Sequence, residues 1–112
     1  MIARVGGDEF VVIPDQPMPT GTAESLARRL VATLHERLAI GGHMITRTVS
    51  IGVAVGLPGQ DNSTDLLRRA DKAVLAAKRG GGNQVAVMGT DDVSLKSAFR
   101  NDVELHLQRD IN

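Results

Sequence analysis

There is no cysteine in this chain. That absence excludes a disulfide framework and any thiolate metal site. Tryptophan and tyrosine are also missing, and Phe10 and Phe99 are the whole aromatic complement. This argues against base stacking on aromatic platforms as a binding mode. The 13 basic and 13 acidic residues cancel, so no global field draws nucleic acid or an anionic membrane to the chain. No apolar run reaches the roughly 20 residues of a membrane span. The opening MIARVGGDEF puts a charge and glycines where a signal peptide needs an apolar stretch. The expectation is a cytoplasmic protein with no nucleic-acid partner and no membrane segment. What is present is 42% hydrophobic residues in 112 positions, enough for one small domain with a single core.

Two apolar, β-branched runs open the chain, at 2–5 and 10–13, with Gly6-Gly7 between them. The pattern predicts a hairpin whose turn needs positive φ angles. PDQPMPTGT at 14–22 carries three prolines and predicts a loop. Ala23, Leu26, Ala27, Leu30, Val31, Leu34 and Leu38 then recur at helical spacing. They predict a helix over 22–39, capped by Thr22, with Glu24 in its first turn and Gly41-Gly42 as its stop. Residues 43–56 alternate: Ile45, Val49, Ile51, Val53 and Val55 share one face, and Thr46, Thr48, Ser50, Gly52 and Ala54 the other. That is a long strand whose second face is built for close approach. Leu66, Leu67, Ala70, Ala73, Val74 and Ala77 mark a second helix over 64–79, capped by Ser63 or Thr64 and stopped by the glycines at 80–82. A short strand, QVAVM, follows at 84–88. Residues 89–112 begin polar and alternate weakly at their end, and predict a linker with a helix and then the stub of a following unit.

RVGGDEFVVI, Arg4 to Ile13, puts two adjacent carboxylates between a glycine turn and a buried strand. A tight turn explains the glycines but not the charges. Taken alone, Gly-Gly followed by acids is a solvated hairpin, and Lys78 is a cation stabilising a helix C-terminus. Asp71 pairs with Arg68 or Lys72 or caps locally. His35, His43 and His106 share no metal-ligand spacing and are expected at the surface or its boundary.

Three motifs in order change the weighting. RVGGDEFVVI resembles the signature hairpin of GGDEF domains, the catalytic domains of diguanylate cyclases. VSIGVAV at 49–55 resembles their central strand, and LLRRADKAVLAAKRGGGNQVAV at 66–87 their last helix, glycine turn and following strand. The tail VELHLQRDIN is faintly similar to the opening strand of EAL domains. The resemblance implies an α+β fold, an antiparallel sheet with two main helices packed on it. It divides the chain into 1–88, the carboxyl-terminal half of a GGDEF domain, and 89–112, a linker and EAL-like stub. It also implies the chemistry. Two GTP molecules on facing domains, with magnesium or manganese, condense to cyclic di-GMP, a bacterial second messenger. On this resemblance Gly6 and Gly7 admit the nucleotide, Asp8 binds metal and helps deprotonate the ribose 3′-hydroxyl, Glu9 supports a second metal or the site geometry, and Lys78 binds the triphosphate.

Departures accompany the match. Gly81-Gly82-Asn83 stands where the family usually has Gly-Arg-Asn, so a phosphate-binding arginine is absent. The family's first strand, with a further metal-binding aspartate, has no counterpart before Met1, and neither has its Arg-x-x-Asp inhibitory motif. The chain is therefore expected to be a fragment, with the regulation of an EAL phosphodiesterase by a non-cyclising, GTP-binding module as the alternative function. A sheet lacking strands exposes an edge and apolar surface, which predicts a homodimer. Light scattering over a concentration series checks this: mass should rise toward twice the monomer, and a monodisperse monomer would contradict it.

Overall fold

The computed structural model describes residues 1–6, 8–56, 62–89 and 100–110. Its elements are β1 (Ile2–Arg4), β2 (Glu9–Val12), β3 (Met18–Pro19), α1 (Thr20–Thr33), β4 (Glu36–Ile40), β5 (His43–Gly56), α2 (Ser63–Arg79), β6 (Val85–Met88) and β7 (Arg100–Asp110). The strands form one sheet in the order β1-β2-β7-β5-β4, with β3 on β7 and β6 on β5. All pairings are antiparallel except β5 with β6, which the crossover through α2 makes parallel. The expected α+β architecture is present, with both helices on the sheet.

The alternation of β5 assigns the two faces. Ile51, Val53 and Val55 join Val103, Leu105 and Leu107 of β7 and Ala23 and Ala27 of α1 in one core. On the other face, Ala54 packs with Leu66 and Ala70 of α2. Burial of one large aliphatic side chain contributes about 1.5–3 kcal/mol, so the α1 face, with six of them in its core, supplies most of the apolar stabilisation. The α2 face gives up bulk for proximity. A Cβ on Gly52 would fall against the backbone nitrogen of Val74 and within 2.5 Å of the Ala70 carbonyl oxygen. The small residues of the second β5 face therefore let the helix backbone lie directly on the strand.

Several local expectations are corrected. The first helix ends at Thr33, not 39, because 36–40 pairs with 43–47 as a hairpin arm. Gly41 and Gly42, with φ of 57° and 80°, form the two-residue turn such a hairpin requires rather than a helix stop. Leu38 fits a helical period and a strand period equally, and cross-strand pairing with Ile45 decides between them. At its other end α1 starts two residues early, with Pro19 at the cap position and no side-chain cap. Glu24 thus lies beyond the first turn and pairs with Arg28 at 2.6 Å. In α2 the cap is Asn62, whose Oδ1 accepts from the Asp65 N–H at 2.8 Å, and not Ser63 or Thr64.

The largest difference concerns the tail. The helix expected within 89–112 falls on 90–99, outside the described residues. Residues 100–110, whose alternation is weak in sequence, form a strand in the middle of the sheet. Thr48 through Gly56 of β5 pair with Asp110 back to Asp102, and Glu9 through Val12 of β2 pair with Gln108 back to Leu105. The even-numbered side chains of β7 are polar, yet Glu104 and His106 are buried. Val103, Leu105 and Leu107 alternate with them, so the strand period is present, but the polar positions give no sign of being buried.

Gly52→Ala is expected to destabilise the fold by about 3 kcal/mol or more, because the added methyl meets backbone that cannot move aside. Denaturant unfolding should show the loss as a lower midpoint with an unchanged slope.

Candidate functional site

The β1–β2 hairpin delivers its two carboxylates to different neighbours. The N–H groups of Val5 and Gly6 both donate to the Glu9 carbonyl, at 3.0 and 3.4 Å, closing the turn. Gly7 lies outside the described residues. A Cβ on Gly6 would meet nothing closer than the Glu9 Cβ at 3.9 Å, an ordinary contact, so packing does not demand glycine there. Asp8 is half exposed. Its carbonyl accepts from the Arg109 N–H at 3.1 Å, and its carboxylate lies 3.6 Å from the Arg109 guanidinium. An ion pair this open to water contributes little, and the Asp8 oxygens stay accessible. Glu9 pairs with Gln108 in register and sends its carboxylate toward Asp71 of α2 and His106 of β7.

Lys78, in the last turn of α2, reaches the same end of β7. Its Nζ donates to the Arg109 carbonyl at 3.1 Å and lies 3.9 Å from the Asp110 carboxylate. Asp8 and Lys78 thus both contact Arg109, one at its guanidinium and N–H, the other at its carbonyl. Asp110 is held more firmly than either. Thr48 and Ser50 donate their hydroxyls to it at 2.6 and 2.7 Å, and the Asn83 N–H donates at 2.8 Å. Burial alone would raise its pKa, but the bonds from Thr48, Ser50 and Asn83 and the Lys78 charge together outweigh it, and the carboxyl lies below its usual 3.8. The glycine turn depends on this contact. A Cβ on Gly82, whose φ is 74°, would come within 2.9 Å of the Asp110 carboxylate. Glycine at 82, where an arginine is usual in the resembling domains, therefore has a local cause.

A second polar cluster lies on the α2 face. His106 is 1% exposed. Its Nδ1 is 2.8 Å from Asp71 Oδ1, and its Nε2 is 2.8 Å from Oε1 of the buried Glu104. This corrects two expectations: His106 is a core residue, and Asp71 turns to the sheet rather than to Arg68, which lies against Asp65. The structure brings Asp8, Glu9 and Lys78 around β7 and adds Asp71, Glu104, His106 and Asp110, which sequence reasoning did not select. The usable signal was the run of even-numbered polar residues in ELHLQRD, the polar face of an otherwise apolar strand. A larger groove of about 280 Å³ lies along β1, lined by Met1, Ala3, Val5 and Val11 among others. It is largely apolar, and of the charged residues gathered around β7 only Glu104 lines it.

The arrangement can place hard carboxylate oxygens and an ammonium near one another. Asp8 offers donor oxygens that suit magnesium or manganese, with water or phosphate completing the shell, so the residues present fit such an ion at one ligand.

Residues 1–84 match the family model described as diguanylate cyclase, GGDEF domain. An uncharacterized protein of Mycobacterium tuberculosis is 58% identical over 99% of this chain, which covers 18% of that relative. The cyclic di-GMP phosphodiesterase PdeR of Escherichia coli is 30% identical over 96% of the chain, again 18% of the relative. The bifunctional diguanylate cyclase/cyclic di-GMP phosphodiesterase MucR of Pseudomonas aeruginosa is 37% identical over 73% of the chain and 12% of its own length. The chain thus spans less than a fifth of these relatives. No solved structure matches it. Among the described residues no helix is long and apolar enough to cross a membrane.

The depressed carboxyl of Asp110 gives a pH signature. A group whose folded pKa lies below its unfolded value stabilises the fold above the unfolded pKa and loses that contribution as pH falls through the folded one. Asp110→Ala should therefore cost about 2 kcal/mol at neutral pH, and the gap to the unsubstituted chain should shrink below about pH 4. Urea unfolding at a series of pH values measures both.

Proposed function

The chain belongs to the GGDEF domain family, and on that premise we propose that it forms part of a diguanylate cyclase site that condenses two GTP molecules to cyclic di-GMP. The observation that carries this reading is the convergence of Asp8 and Lys78 on Arg109 at one end of β7. A phosphoryl transfer of this kind is mostly positioning and charge neutralisation; Asp8, at the Arg109 guanidinium, and Lys78, at the Arg109 carbonyl, would supply a metal ligand and a phosphate-binding charge. Lys78 would hold the triphosphate as a mobile point charge. Asp8 would bind magnesium or manganese and take the proton of the ribose 3′-hydroxyl as it attacks the α-phosphate of the second GTP, with pyrophosphate leaving. When bound, the metal supplies positive charge to the phosphate oxygens. Gly6, with no packing reason to be glycine, leaves the backbone open to the nucleotide. Because each GTP attacks the other, the proposal includes a homodimer with its two sites facing.

A second reading is favoured by the state of Lys78. Its ammonium already faces the Asp110 carboxylate and the Arg109 carbonyl, and Gly82 takes the place of a phosphate-binding arginine. A module that binds GTP without cyclising it, and regulates a phosphodiesterase domain of the same polypeptide, fits those contacts. The phosphodiesterase named among the relatives is consistent with it.

Incubation of the full-length protein with GTP and magnesium, followed by chromatography of the products, separates the two. The cyclase reading expects cyclic di-GMP, with Asp8→Asn lowering its rate at least 100-fold and Lys78→Ala raising KM about tenfold. GTP binding without product would favour the regulatory module, and absence of both would end the nucleotide reading.

A further inference from the structure

The geometry points to a metal site separate from the nucleotide reading: we infer that Glu9, Asp71 and His106 bind a divalent transition-metal ion such as zinc, manganese or iron(II). One ligand atom from each lies within 4.8 Å of the others. First-row ions bind nitrogen and oxygen at about 2.0–2.2 Å, which puts ligands on opposite sides of the ion about 4 Å apart. Small side-chain rotations close that difference.

The imidazole is prepared for a metal by its other neighbour. Glu104, buried and 2.8 Å from Nε2, is placed to accept an Nε2–H. That tautomer leaves the Nδ1 lone pair facing outward, the carboxylate–histidine–metal arrangement. Neutral imidazole has a single N–H to give. Its Nδ1 lies 2.8 Å from an Asp71 carboxylate oxygen, so with Nε2 protonated the two atoms must share a positive species, either a proton between them or a metal ion bound by both side by side. A proton would satisfy that pair alone. It would leave Glu9, whose carboxylate has no hydrogen bond or ion pair among the described residues, turned toward the same point without a partner. A cation satisfies all three ligands at once.

Charge and access agree. Three carboxylates, Glu9, Asp71 and Glu104, surround one imidazole, and among the described residues no lysine or arginine forms an ion pair with any of them. The Asp71 side chain is 55% exposed, so the site opens to solvent for entry and for water ligands. The ring nitrogen selects a transition metal over magnesium or calcium, which take all-oxygen shells. Its ligands come from β2, β7 and α2, so the ion would tie the hairpin to the sheet centre and the helix.

The test uses the 112-residue chain, stripped of metal by a chelator and free of nucleotide, and titrated with Co²⁺. Expected are visible d–d bands that saturate at one equivalent and vanish on adding Zn²⁺, together with a rise in melting temperature at saturating Zn²⁺. His106→Gln and Asp71→Asn should each weaken binding at least tenfold, while Asp8→Asn changes it less than about threefold. Circular dichroism verifies that each variant is folded. If His106→Gln is not, Asp71→Asn, at an exposed helix position, decides alone. Absence of saturable binding would overturn the inference by leaving a proton as the positive species between His106 and Asp71. Binding that survives Asp71→Asn and His106→Gln but is lost in Asp8→Asn would also overturn it, assigning the metal to the nucleotide site. Because no GTP is present, either failure leaves the cyclase reading untouched.

Discussion

β7 is hydrogen-bonded along both edges, to β2 on one side and β5 on the other. Without it the β1–β2 hairpin would have no connection to the sheet, because β2 pairs only with β1 and β7 among the described strands. The backbone ladder also sets the registers on which every polar contact rests. Pairing Glu9 with Gln108 brings Asp8 to Arg109, and pairing Thr48 with Asp110 brings the hydroxyls of Thr48 and Ser50 under one carboxylate. A slip of one residue would turn Glu104 and His106 toward α1 and put Leu105 and Leu107 on the polar side. The buried leucines hold the register, and the register holds the chemistry.

The sheet also separates functions that are adjacent in sequence. Asp8 and Glu9 are neighbours, yet one lies beside an arginine in open solvent and the other points to a buried histidine. Alternation along an extended chain is the cause. Two carboxylates that look like one acidic motif thus occupy environments of different dielectric character. The same alternation on β5 gives α1 a wall of branched aliphatics and α2 a nearly flat strip of small residues.

Much of this was legible in the sequence where one face of an element is apolar. β5 declares both faces through Ile51, Val53 and Val55 against Ser50, Gly52 and Ala54, and α2 declares its stripe through Leu66, Ala70, Ala73 and Ala77. The failures share a cause: a tertiary contact overrode a local pattern. Leu38 satisfies two periods, and only its partner Ile45 chooses the strand. Thr22 is a good cap residue, but the chain turns earlier, at Pro19. β7 was obscured because its inner face is Glu104, His106 and Asp110, residues whose burial makes sense only once Asp71, Thr48, Ser50 and Asn83 are seen opposite them. The alternation in ELHLQRD marks a strand, but hydrogen-bond partners distant in sequence leave no trace that its polar face is buried. Asp8, Glu9 and Lys78 were selected through motif resemblance, and spacing alone would not have singled them out.

The place of β7 also fixes an order of events. The strand at the centre of the sheet is the last of the described elements, and residues 9 and 108 must meet before the hairpin has anything to dock on. Closing so long a loop is entropically costly, and folds dominated by such distant pairings form slowly. β5, α2 and β6 can assemble earlier through contacts nearer in sequence. During synthesis the hairpin of segment 1–13 would then wait, with the outer edge of Val11 and Val12 unpaired, until residues 100–110 leave the ribosome. The interval before β7 arrives is when this protein is most exposed to pairing with the wrong strand.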